Sequence, residues 1–94
     1  MKLVKIVKSE AHGKKYTAIF DDNGRTLRRH FGATGMDDYT RTHDNEQRER
    51  YLKRHKKDLL GDPTRPGYLS YYILWGPSTS IQANVAAYKR HFRL

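Results

Sequence analysis

Cysteine is absent from this chain of 94 residues, so neither a disulfide framework nor a thiolate metal site holds it together. The hydrophobic core has to do that, and one chain of this length supports a single modest core and a single domain spanning residues 1–94. No apolar run approaches the roughly 18 residues of a membrane span. Lysine interrupts Met1-Lys2-Leu3-Val4-Lys5 too often for a secretory h-region. A soluble protein of a reducing compartment, with no membrane partner, is the expectation.

Catalytic signatures are missing as well. There is no G-x-S-x-G turn, no P-loop and no paired H-x-x-x-H. Serine occurs only as Ser9, Ser70, Ser78 and Ser80, at a strand end, in an apolar run and in cap contexts. No catalytic residue and no cofactor are expected. A metal-dependent nuclease would use His30 or His43 as base, with Asp37, Asp38 or Asp44 on the ion. Their spacing matches no known metal site, and Asp and His before a helix more often serve caps and turns.

Acids are the other scarcity: 10 Asp and Glu stand against 19 Lys and Arg, a formal charge of +9. Residues 1–24 carry a net +2, residues 25–57 a net +5 and residues 58–94 a net +2. The excess is concentrated in the middle, and a segregated cationic excess is the footprint of a polyanion binder, nucleic acid first among them.

The local pattern begins with strands. Met1 to Ser9 is rich in β-branched residues, Lys14 to Phe20 alternates with Tyr16, Ala18 and Phe20 on one face, and Arg25 to Phe31 alternates again. Asn23-Gly24 between the second and third runs is the strongest short hairpin signal. Phe31 to Thr42 then reads as a loop in which Gly32 and Gly35 permit positive φ.

Thr42 to Lys57 reads as the first helix. Asp44 stands at the N-cap with Gln47 three residues on, a capping-box spacing. Arg50, Lys53, Arg54 and Lys57 fall on one face and Arg48, Leu52, His55 and Leu59 on the opposite one. After the Pro- and Gly-rich Leu60 to Gly67, the run Tyr68 to Trp75 fits a buried helix better than a buried strand, with Pro66 in its first turn. Thr79 and Gln82 suggest a second capping box, opening a helix with Ile81, Val85, Tyr88 and Phe92 on one face. The expected fold is α+β: an N-terminal three-stranded antiparallel sheet followed by two or three helices.

The run FGATGMDDYTRTHDNEQRERYLKRHKK, then GYLSYYILWGPS and IQANVAAYKRHF, resembles a family of small basic proteins of nucleocytoplasmic large DNA viruses, such as chlorella viruses and marseilleviruses. The likeness covers roughly Phe31 to Phe92. It rests on F-G-x-x-G-x-x-D-[FY]-T at Phe31 to Thr40, on Tyr51 with Arg54-His55-Lys56-Lys57, on Gly67, Leu69, Ser70, Leu74 and Trp75, and on Tyr88, Lys89 and Phe92. The segment Asp58 to Pro66 departs from that pattern. The resemblance implies a protein packaged in virions, or present in host cytoplasm or nucleus, that binds the viral genome.

Together these features lead to the expectation of a sequence-nonspecific binder of double-stranded DNA that packages or organises a genome. Its candidate phosphate contacts are Arg28 and Arg29 on the third strand, Arg50, Lys53, Arg54, Lys56 and Lys57 on the helix, and Lys89 and Arg90 at the C-terminal end. Asn45, Gln47 and Arg48 are too few to spell a base code. Tyr39, Tyr51 and Trp75 are candidates for stacking on single strands, with Trp75 better suited to the core. A protein-interaction module with an acidic partner is the alternative. A homodimer is expected only on DNA, because copies carrying +9 repel one another until DNA neutralises them.

Overall fold

The computed structural model describes all 94 residues. Its first third is an antiparallel meander, β1 (Lys2–Lys8), β2 (Lys14–Asp22) and β3 (Arg25–Ala33), with β2 in the centre. The β2–β3 connection turns at Asn23 and Gly24, both at positive φ (53° and 86°). Two consecutive left-handed residues match the right-handed twist of the flanking strands, which is why Asn-Gly is favoured there. The Asp21 carboxylate fastens this turn by accepting from the Gly24 N–H at 2.9 Å. Both strands outrun their expected ends, β2 to Asp22 and β3 to Ala33.

The period of two sorts the side chains. Leu3, Ala18, Phe20 and Phe31 are buried on one face. The other face carries Lys5, Ile19 and Arg28 in one row and Val7, Thr17 and His30 in the next.

Four α-helical segments follow, α1 (Tyr39–Thr42), α2 (Asn45–His55), α3 (Pro66–Leu69) and α4 (Ile81–Phe92), so the chain is α+β. The one-turn α1 lies inside the expected loop: Asp38 caps it, accepting from the Thr40 N–H at 3.0 Å. α2 is shorter than Thr42 to Lys57. It begins after the Asp44 cap and ends at His55, and Lys56–Asp58 form a 3-10 turn. An Asp58 bond to the His55 Nδ1 at 3.0 Å accompanies that tightening. The capping box forms only in part. Asp44 accepts from the Gln47 N–H, whereas the Gln47 side chain bonds Thr42 Oγ1 at 2.9 Å, and that hydroxyl accepts the Asp44 N–H instead.

The run Tyr68 to Trp75 is helical, but α3 passes into a π-helix at Ser70–Leu74, closed by an i to i+5 bond from the Trp75 N–H to the Ser70 carbonyl at 3.0 Å. α4 is capped by Ser80, one residue beyond Thr79. Ser80 has the extended cap backbone, and its hydroxyl accepts from the Ala83 N–H at 3.2 Å. Leu69, Ile73, Leu74, Trp75 and Tyr88 close over the inner sheet face to complete the core.

Candidate functional site

Arg50 and Arg54 stand one turn apart on α2 and line the same open cleft, of about 570 Å³. One wall is α2, with Gln47, Arg50, Tyr51, Arg54 and His55. The other is the end of β3 and the segment to α1, with Gly32, Ala33, Gly35, Met36 and Asp37, and Lys15 of β2 with Ser70, Leu74 and Trp75 completes the lining.

The position of α2 is set by its inner face. The Arg48 Nε donates to the carbonyls of Trp75 and Gly76, both at 3.0 Å, satisfying oxygens that the end of the π-helix leaves free. Its guanidinium lies 5.6 Å from the centre of the Tyr39 ring, a cation–π distance. Tyr51 stacks flat on Trp75, with centroids 4.2 Å apart and planes 7° apart. Removal from water pushes the Tyr51 hydroxyl up to about 12, helped by the charge of Asp58 and by Tyr71.

Lys15, which lines the cleft, binds at 2.7 Å the carboxylate of the almost wholly buried Asp38, whose second oxygen accepts from the Thr40 N–H and hydroxyl. Lys15 also donates to the Met36 carbonyl. This lysine is occupied in holding the cleft wall to the sheet.

The outward cations are unoccupied. Arg50, Lys53, Arg54, Lys56 and Lys57 are all exposed, and none makes an ion pair, the two in the molecule being Lys15–Asp38 and His55–Asp58. Arg50, Lys53 and Arg54 follow at i, i+3 and i+4, the spacing of one helical stripe, and the 3-10 turn continues from it with Lys56 and Lys57. Other expected contacts are elsewhere. Arg28 lies on the outer sheet face in a row with Lys5. Arg29, half-buried, lies near Asp62 and helps lower that carboxyl, after the larger effect of the bonds from Thr64. Lys89 and Arg90 are exposed in the last turn of α4, where they suit the helix dipole.

Most of the residues weighed for base readout and for a metal have other partners, whereas Asp37 is exposed and without an ion pair. Asn45 accepts from the Tyr39 hydroxyl at 3.0 Å, and Arg48 faces inward. Asp44 is a cap, Asp38 is ion-paired, and the His30 Nδ1 lies 2.7 Å from the Thr17 hydroxyl on the sheet. No three His, Asp or Glu residues gather where they could hold an ion. Of the stacking candidates, Tyr39 and Trp75 are buried and Tyr51 is half-buried in the cleft. The spacing puts His55 on the face opposite Arg50 and Arg54, whereas the structure has it lining the cleft with them. Its role as the outer ring beside Tyr51 was not legible, since it depends on Trp75, far along the chain.

Fold and cleft define a small, strongly basic α+β domain with an arginine-edged groove. Residues 4–55 match a family described as a family of unknown function, DUF5754, and with more than half of its length matched the chain belongs to that family. The match runs from β1 through α2 and so includes Arg50, Tyr51, Arg54 and His55. No curated protein and no solved structure matches the chain.

Proposed function

We propose that the protein binds double-stranded DNA through its phosphate backbone, without sequence preference, and serves to package or organise a genome. The observation that carries this reading is the stripe of Arg50, Lys53 and Arg54, extended by Lys56 and Lys57, exposed and free of carboxylate partners on a helix anchored by Arg48 and Tyr51. Phosphate binding needs cations on a rigid surface, and each phosphate neutralised releases condensed counterions. A net +9 adds long-range attraction to any polyanion. A virion or a viral replication site is the setting that the resemblance of Phe31 to Phe92 adds to this reading.

Fluorescence anisotropy with arbitrary duplexes of unrelated sequence tests it. Similar affinities for all of them at low salt are expected, falling steeply between about 50 and 200 mM salt. Lys53→Glu combined with Lys57→Glu should weaken all duplexes alike. Absence of binding at low salt, or binding indifferent to salt, overturns the reading.

A further inference from the structure

We infer that the cleft between α2 and the β3–α1 segment is a site for one unpaired nucleotide of a nucleic-acid strand, its base stacked on His55 and its phosphate held between Arg50 and Arg54. The inference rests on the nucleic-acid reading above and adds a ligand class that a backbone stripe does not require.

Three rings form a continuous stack in the cleft. Trp75 lies under Tyr51 at 4.2 Å, and Tyr51 lies under His55 at 4.2 Å with a tilt of 31°. A stack covered at both ends is simply core. This one is covered at one end only: Trp75 is 6% exposed, whereas the His55 side chain is 37% exposed. The imidazole is also held in place. Its Nδ1 lies 3.0 Å from the Asp58 carboxylate, which accepts only from a protonated nitrogen and so fixes the ring's orientation. A base placed there would extend an existing stack, and aromatic faces accept any base because every base has a π-face.

The phosphate half of a nucleotide finds its partners at the same rim. Arg50 and Arg54 line the cleft and carry no carboxylate. A planar guanidinium suits phosphate oxygens because it can donate two parallel hydrogen bonds. The volume of about 570 Å³ lies within the range of small-ligand clefts. Asp37 lines the cleft too, exposed and without an ion pair. Its charge opposes a phosphate, so it tempers affinity for anions. Intact duplex keeps its bases stacked inside the helix, so the ligand is a strand end, a gap or an unpaired loop.

The experiment compares a blunt duplex with one of equal phosphate count that carries a short unpaired extension, with 2-aminopurine in the extension. Wild type should prefer the extended duplex by on the order of tenfold, the scale of one base–aromatic stack, and should quench the 2-aminopurine. His55→Ala should bring the ratio of the two affinities to one, with circular dichroism confirming its fold. Asp37→Asn, at an exposed position, should raise affinity for the extended duplex. Equal affinities with no quenching overturn the inference even where blunt duplex binds, and leave the backbone reading standing. Preference and quenching without measurable blunt-duplex binding support the inference and overturn duplex DNA as the main ligand. Loss of the preference in the presence of equimolar free nucleoside triphosphate would assign the cleft to a soluble nucleotide and overturn the strand.

Discussion

Asn84 is wholly buried, and its amide serves three backbone groups. It donates to the Ile73 carbonyl at 2.8 Å and the Ser78 carbonyl at 2.7 Å, and it accepts from the Ser78 N–H at 2.9 Å. These bonds join α4 to the end of the π-helix and to the turn that follows. Gly76 leaves room for them, because a Cβ there would meet the Tyr72 carbonyl oxygen and the Asn84 amide. Asn84→Ala leaves the buried Ile73 carbonyl and the half-buried Ser78 groups without these partners, and a cost of about 3 kcal/mol is expected, since each buried orphan costs about 1–3 kcal/mol. Urea denaturation measures it. Tyrosines set a second expectation. Burial raises the Tyr88 and Tyr51 hydroxyls, Tyr51 to about 12 from 10.0. The fold therefore holds these protons more tightly than the unfolded chain does, so the stabilisation is complete below pH 10 and is lost as pH rises through 12. Denaturation midpoints should fall across that window, and less steeply in Tyr51→Phe, whose lost hydroxyl has no protein partner.

The element on which both proposals depend is α2, and its start is fixed by Asp44. Asp44→Ala should cost about 1 kcal/mol in a thermal or urea melt, the usual loss for a cap whose side-chain bond is removed. Duplex affinity should fall less in that variant than in Lys53→Glu with Lys57→Glu, because fraying the first turn leaves the last-turn cations in place. Elements with strong local rules were legible in sequence. Asn23-Gly24 announced its hairpin, alternation sorted Ala18, Phe20 and Phe31 inward, and the spacing of Ile81, Val85, Tyr88 and Phe92 marked α4. Three features were not legible, two because they depend on distant partners and one, the cap of α4, because neighbouring hydroxyl residues compete for it. The π-helix at Ser70–Leu74 is coupled to an amide eleven residues past Ile73, the cap of α4 moved to Ser80 among three adjacent hydroxyl residues, and α1 sits in a segment fastened by a lysine of β2. The cleft follows the same division: the arginine stripe is a matter of spacing within one helix, whereas its stacked rings join residues 51 and 55 to residue 75.

At the scale of the whole molecule, charge acts on folding and on binding in opposite directions as salt is added. Of 19 Lys and Arg side chains only Lys15 is ion-paired, so the net +9 is poorly neutralised within the protein. Like charges repel more in the compact state than in an expanded chain. Added salt screens that repulsion over a Debye length of about 8 Å at physiological strength, so the melting temperature of the free protein should rise between low and physiological salt. DNA affinity should fall over the same interval. If Arg50, Lys53, Arg54 and Lys57 each meet one phosphate, the plot of log affinity against log salt has a slope of roughly −3.6, at about −0.9 per contact. Lys53→Glu with Lys57→Glu should bring that slope to roughly −1.8 without lowering stability, since neither side chain has a partner to lose and the smaller net charge eases the self-repulsion. A slope near zero alongside a rising melting temperature would show that the charge is felt by the fold and not by the ligand, and would remove α2 from the DNA contact.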